Sequence, residues 1–291
     1  MTFTRLALLG ALVVGTATPA HVAFADNWNA PQEPFAIYGN TYYVGPHGVS
    51  AVLITSPDGH ILIDGGSPES PQQIAAHIRQ LGFKVEDIKY ILNSHEHFDH
   101  AGGIADLQKL SGATVLSSRA GAAVLSSGRT NPADPQFTGL PPTMTPIAKV
   151  RALADREVLK LGALRVTAHY TPGHTPGGVS WTWQSVEDGK VANMVYADSL
   201  TAYANKPFRY SGSPSWPQAR AALERSIALV ASMPCDILIS AHPEVGDLWT
   251  RKSAADTQGH AAFIDTAGCR NYAAKGRARL AEALKEEDAS K

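Results

Sequence analysis

Cysteine is scarce in this 291-residue sequence, with Cys235 and Cys269 the only two. No Cys-x-x-Cys spacing occurs, which excludes the common structural zinc knuckle and the dithiol redox motif. Ser-x-x-Lys and Gly-x-Ser-x-Gly are both missing, so neither of these serine nucleophile arrangements is encoded. His-Glu-x-x-His is missing too, and with it the helix-borne zinc protease motif. Neither sign of charge dominates: 25 Lys and Arg stand against 26 Asp and Glu, a net charge of −1. That balance offers no electrostatic footprint for nucleic acid, and no run of like charges suggests a tail for a partner. No apolar run approaches the ~20 residues that span a bilayer, so no membrane anchor is expected in the mature protein. No internal sequence repeat is visible.

What is present begins with an N-terminus that reads as an export signal. Arg5 supplies the positive charge, residues 6–14 are apolar, and Ala23-Phe24-Ala25 fits a small-x-small cleavage site. Cleavage after Ala25 is expected, with residues 1–25 as leader, residues 26–291 as one domain and the periplasm as destination. Export with an even cysteine count predicts a Cys235–Cys269 disulfide. With 44% hydrophobic and 18% charged residues, the chain can bury a substantial core.

Along the chain, residues 36–44 read as a first strand. Residues 52–55 and 61–64 are β-rich and joined by Ser56-Pro57-Asp58-Gly59, good type I turn chemistry, which predicts a hairpin. Ser70-Pro71 reads as a helix start, N-cap then first position, and Gly82 as its stop. A strand follows within 85–93, another over 113–117, then a short helix over 120–125. Residues 127–149 are rich in Pro, Gly and Thr without periodicity, a long loop that is either a wall of a functional cleft or a solvated connector. Strands are expected over 157–161, 164–169, 179–184 and 191–196. Ser215-Trp216-Pro217 opens a helix, residues 236–240 form a last strand, and the chain ends in helices. Strands followed by helices occur twice with no linker between, an order that permits two β-rich halves packed sheet on sheet with helices outside.

The chemistry concentrates in Asn93-Ser94-His95-Glu96-His97-Phe98-Asp99-His100-Ala101-Gly102-Gly103. An apolar strand-like run leads in and a helix-like run leads out. In extended chain, His95 and His97 point to one side. Asp99 and His100 fall at a helix start, where Asp is also a favoured cap. Two further histidines sit in rigid contexts. His174 lies within Thr171-Pro172-Gly173-His174-Thr175-Pro176-Gly177-Gly178, and His242 follows an apolar strand and precedes Pro243. Imidazole and carboxylate together suit zinc. Asp64, at a strand end before Gly65-Gly66, is either a turn residue or one that orients an imidazole. His169 reads as packed or supporting, and His47, His60, His77 and His260 have no ligand-like context.

His-x-His-x-Asp-His between strand and helix resembles the signature of the metallo-β-lactamase superfamily. The resemblance implies an α/β fold, an αβ/βα four-layer sandwich with two β-sheets face to face and helices outside. It implies two Zn2+ per chain, one on His95, His97 and His174, the other on Asp99, His100 and His242. A hydroxide held between the metals would be the nucleophile, and Asp99 would serve in catalysis as well as ligation. Thioesterases and lactonases of this superfamily carry a metal-bridging Asp after a strand. Here the stretch is Tyr196-Ala197-Asp198-Ser199-Leu200-Thr201, and aligning Ser199 with that position leaves the bridge without a carboxylate. That pattern resembles subclass B3 of the metallo-β-lactamases, in which the residues matching Ser199 and Thr201 face the substrate carboxylate. Gln136 in the long loop is a further candidate contact, and Asp198 is the competing alignment. The function implied is zinc-dependent opening of penicillins, cephalosporins and carbapenems by a periplasmic monomer acting on a small-molecule substrate. The alternatives are an exported lactonase or other ester hydrolase of the same fold, or a zinc-binding protein without turnover.

Overall fold

The structure of the chain is a computed structural model that describes residues 28–139 and 144–290. The expected leader lies outside the described residues. Twelve strands among them form two sheets. The first holds β1 (Phe35–Tyr38), β2 (Thr41–Tyr43), β3 (Val52–Ile54), β4 (His60–Ile63), β5 (Ile88–Leu92), β6 (Thr114–Ser117) and β7 (Val150–Ala152), in that spatial order. The second holds β8 (Val158–Leu161), β9 (Leu164–Tyr170), β10 (Val179–Glu187), β11 (Lys190–Ala197) and β12 (Ile237–Ser240), ordered β12-β11-β10-β9-β8. Each sheet starts as an antiparallel meander and becomes parallel at its end, from β4 onward in the first and between β11 and β12 in the second.

Alternation along the strands builds the layers. Met194 and Tyr196 of β11 and Val52 and Ile54 of β3 meet between the sheets, around Trp181 and Ile37. On β3 to β6, Leu53, Leu62, Ile91 and Val115 point the other way. They pack on α1 (Pro71–Gln80), α3 (Ile104–Ser111) and α4 (Arg119–Ser127) through Ile74, Ile78, Leu107 and Val124. On the far side, Val195 and Leu238 meet Leu223 and Ile227 of α5 (Ala219–Ser232) and Leu280 of α7 (Gly268–Ala289). The four-layer αβ/βα sandwich is therefore as the resemblance implied. The short α2 (Phe98–Ala101) follows the histidine motif, and α6 (Leu248–Gln258) precedes α7.

Three local expectations change. Residues 36–44 are a hairpin, not one strand, because Tyr38 pairs with Thr41 across the two-residue turn Gly39-Asn40. Gly39 at φ 50° supplies the positive φ such a turn needs. Ser70 does precede the first helical residue, but its hydroxyl makes no cap bond. It meets Ser67 and Asn29 instead. The helix expected from Ser215-Trp216-Pro217 starts at Ala219.

Cys235 and Cys269 are joined, tying the entry of β12 to the first turn of α7. Closing a loop with sequence separation 34 stabilises the chain by about 3–4 kcal/mol in the chain-entropy view. Thiol titration of the unreduced, denatured protein is expected to find no free thiol. Replacing both cysteines by alanine should lower stability by about that amount. Two titratable thiols would contradict the bond.

Candidate metal centre

The parallel strand ends converge on one edge. β4 delivers Asp64, β5 delivers residues 93–97, β11 delivers Asp198 and Ser199, and β12 delivers His242. The turn from β9 to β10 carries His174 to the same edge. Ligands of α/β sheets gather at the carboxyl ends of strands for this topological reason. Bonds across the sandwich lock the edge: Val179 N donates to Ser94 O at 2.7 Å, and Ser50 N to Ala241 O at 2.8 Å.

Two groups of donor atoms result. His95, His97 and His174 each put one ligand atom within 4.8 Å of the others, as do His95, Asp99 and His100. His242 completes the second region, with its Nε2 3.2 Å from His100 Nε2 and 3.5 Å from Asp99 Oδ2. Asp99 is in the first turn of α2, whose cap position is His97, so the expected capping role does not fall to it.

The outward ring nitrogens of four of the five histidines have acceptors, whereas His100 Nδ1 makes no hydrogen bond. His97 Nε2 meets Asp134 Oδ2 at 3.0 Å. His174 Nδ1 meets Thr201 O at 2.9 Å and Thr201 Oγ1 at 3.1 Å. His242 Nδ1 meets Gly48 O at 3.1 Å. His95 Nδ1 meets Ser94 Oγ at 3.2 Å, with Asp198 Oδ1 beside it at 3.0 Å. A nitrogen facing a carbonyl or carboxylate carries the hydrogen, so the other nitrogen of a neutral ring presents a lone pair. His242 Nε2 thus aims a lone pair at a carboxylate oxygen and at a second imidazole, an arrangement that a cation satisfies. The donor set fits zinc on that ground.

Protonation agrees. Burial, with the neighbouring imidazoles adding, lowers His95 well below the usual range, His174 to about 3 and His242 to about 4. Burial works against ionised Asp99, but the charge and hydrogen bond of His100 and the other imidazoles outweigh it and hold Asp99 low. Neutral imidazole and ionised carboxylate are the forms that bind metal. At His97, burial is outweighed by the Asp134 hydrogen bond and charge, which raise it.

Glu96, between the two motif histidines, is buried and turned away from the donor atoms. Its carboxylate takes Thr175 Oγ1 at 2.8 Å and Gly177 N at 2.9 Å, which staples the His174 turn to the His95 turn. A Cβ on Gly177 would lie 2.4 Å from Glu96 Oε2, so this position requires glycine. Asp64, at φ 61°, accepts from Ser94 N, Ser94 Oγ, Asn93 Nδ2 and Tyr196 OH, and lies 3.7 Å from His100 Nδ1. It thus sits beside His100 without a hydrogen bond to it. His169 is bonded to Thr182 instead.

A profile described as the metallo-β-lactamase superfamily matches residues 44–189. The solved structure of MEM-A1, a subclass B3 metallo-β-lactamase isolated from a soil metagenome library, is 66% identical. It covers 91% of this chain and 100% of its own, with a TM-score of 0.89.

The chain belongs to the metallo-β-lactamase superfamily.

Within that superfamily its structure is of the subclass B3 metallo-β-lactamase kind, an enzyme of the hydrolase class with a candidate metal-binding site. More distant relatives are a hydroxyacylglutathione hydrolase of Anaeromyxobacter dehalogenans (strain 2CP-C) and an N-acyl homoserine lactonase of Bacillus cereus. The first is 32% identical over 53% of this chain and 47% of its own length, the second 28% over 48% and 59%. The chain spans about half the length of these curated relatives.

One residue beyond the sequence-derived set reaches the site. Asp134, in the long loop, was not singled out by any motif. Thr201, expected to face substrate, has its hydroxyl against His174. Gln136, expected as a further contact, has its Nε2 3.5 Å from His174 Nε2. Ser199 is buried beside Asp198 at the end of β11.

Proposed function

We propose that this chain opens the amide ring of penicillins, cephalosporins and carbapenems, as an exported periplasmic monomer holding two zinc ions. His95, His97 and His174 would hold one ion, and Asp99, His100 and His242 the other. Zinc bound there supplies a Lewis acid and an acidified water, sufficient for hydrolysis without a covalent enzyme intermediate. The observation that carries the reading is the 66% identity to a subclass B3 enzyme over that enzyme's whole length, with six ligand-type side chains assembled on one edge.

The chain's own residues divide the remaining work. Asp99, ionised and with Oδ2 among the imidazoles of the second group, would help hold the ion there and orient the attacking water. Ser199 and the Thr201 hydroxyl face the substrate carboxylate, with Thr201 also fixing the His174 ring. Gln136 closes the cleft from the loop side. The reading over lactones rests on Asp198. Its Oδ1 lies at His95 Nδ1, the nitrogen that also meets Ser94, and not among the grouped donor atoms. Ser199 is left at the bridging position without a carboxylate.

Ser199→Ala is expected to keep both zinc ions and lose one hydrogen bond, about 0.5–1.5 kcal/mol, read as at most a roughly tenfold fall in β-lactam kcat/KM. Asp198→Ala is expected to weaken zinc binding through His95. A folded Asp198→Ala protein lacking one ion, together with a Ser199→Ala protein that turns over β-lactam as wild type does, would favour a bridging Asp198 and the lactonase reading. That reading has support in the Bacillus cereus lactonase likeness. Paired assays with a chromogenic cephalosporin and a homoserine lactone separate the two. Turnover of the lactone alone would reject the β-lactam assignment.

A further inference from the structure

The loop between α4 and β7 reaches the site with a buried carboxylate. Asp134 is 1% exposed. Its Oδ2 lies 3.0 Å from His97 Nε2, and its Oδ1 accepts from Gln136 N at 2.7 Å. The turn that presents it is closed by Asp134 N on Asn131 O at 2.9 Å and Phe137 N on Asp134 O at 3.0 Å. Nothing periodic holds this loop to the sandwich, yet it is not adrift. Asn205, in the segment after β11, grips it twice: its N donates to Pro135 O at 2.9 Å and its Nδ2 to Gln136 O at 2.8 Å. The clamp therefore falls on the two residues after Asp134, and its own segment includes Thr201, which holds His174. Two of the three imidazoles of the first donor group are thus set by partners on two loops that are bonded to each other.

We infer that Asp134 is the positioning residue that fixes the His97 ring for its metal, and that Asn205 is the clamp that keeps the loop bearing Asp134 in place. The loop is then part of the metal-binding apparatus and not only a wall for substrate. An acceptor on Nε2 selects the tautomer whose Nδ1 lone pair is free, fixes the ring plane and raises the basicity of the nitrogen left to the metal. Loss of such a partner typically costs 10–100-fold in metal affinity. The inference rests on the proposed ligand role of His97, but its readout is zinc affinity, not turnover.

The test is zinc chelator competition on the purified mature protein and on Asp134→Ala, Asp134→Asn and Asn205→Ala. It is repeated in a His242→Ala background, where only the first site keeps its full donor set. Melting temperatures of the zinc-free proteins are taken alongside. Asp134→Ala is expected to weaken the first site 10–100-fold while the second site and the zinc-free melting temperature hold. Asp134→Asn, which keeps an acceptor oxygen, should lose less, and Asn205→Ala should weaken the first site in the same sense. Wild-type affinity in Asp134→Ala overturns the inference, as does equal loss at both sites with a fallen melting temperature. Wild-type affinity in Asn205→Ala alone overturns the clamp. If zinc affinity falls as stated but no β-lactam is opened, the inference stands and the proposed substrate falls. A wild-type protein that binds no zinc overturns both.

Discussion

His97→Ala is expected to carry about one zinc fewer per chain and to lower cephalosporin kcat/KM on the order of a thousandfold. The size follows from what the residue supplies. His95, His97 and His174 form the first donor group, and removing one of three imidazoles leaves an incomplete site. Lewis-acid stabilisation of a developing oxyanion is worth several kcal/mol, and each ~1.4 kcal/mol is a factor of ten. The variant should still fold. His97 caps the short α2 by its backbone position alone, with no side-chain cap bond, and among the described residues its side chain hydrogen-bonds Asp134. A folded variant with full zinc content and wild-type turnover would remove His97 from the site.

Asp64→Ala should be the most damaging single change to stability, by roughly 3–5 kcal/mol, the range for breaking a buried charged network. Four donors converge on this carboxylate, from Ser94, Asn93 and Tyr196. Each buried donor left without an acceptor costs about 1–3 kcal/mol. Tyr196 OH softens the loss, since it also meets Ser50 O at 3.1 Å. Alanine at φ 61° adds strain that Asp and Asn tolerate better. For a domain of this size the melting temperature should fall by about 10 °C. Asp64→Asn should fall less, because it keeps one acceptor oxygen and the backbone tolerance. A melting temperature unchanged within about 2 °C for Asp64→Ala would contradict the network account.

The contrast between Asp99 and Asp134 explains how much of the site could be read in advance. Asp99, His95, His97 and His100 are local. Six consecutive residues between a strand and a helix define their geometry, and a period-two strand end fixes which side the first two face. His174 and His242 were legible for a related reason, since Pro and Gly hold the chain rigid around each. Asp134 is separated from His97 by 37 residues and sits in a loop with no period, so only folding brings the two together. Thr201 was legible as a site residue, but its bond to His174 depends on how two turns meet across the cleft. In the fold, the strands expected over 179–184 and 191–196 are the cores of β10 and β11. The β1–β2 turn at Gly39-Asn40 carried a hairpin signal that the surrounding apolar residues obscured. The helix starts missed by two residues or lacking a side-chain cap, at Ala219 and Pro71, were set by packing on the sheets, not by capping chemistry.

Carbapenem and cephalosporin hydrolysis by the purified mature chain, measured with bound zinc, after chelation and after zinc is returned, bears most directly on the central claim. The account predicts turnover of both with two zinc ions per chain, loss of turnover on chelation and recovery on adding zinc. Two bound zinc ions with no turnover of either β-lactam, or turnover that survives complete removal of the metal, would contradict it.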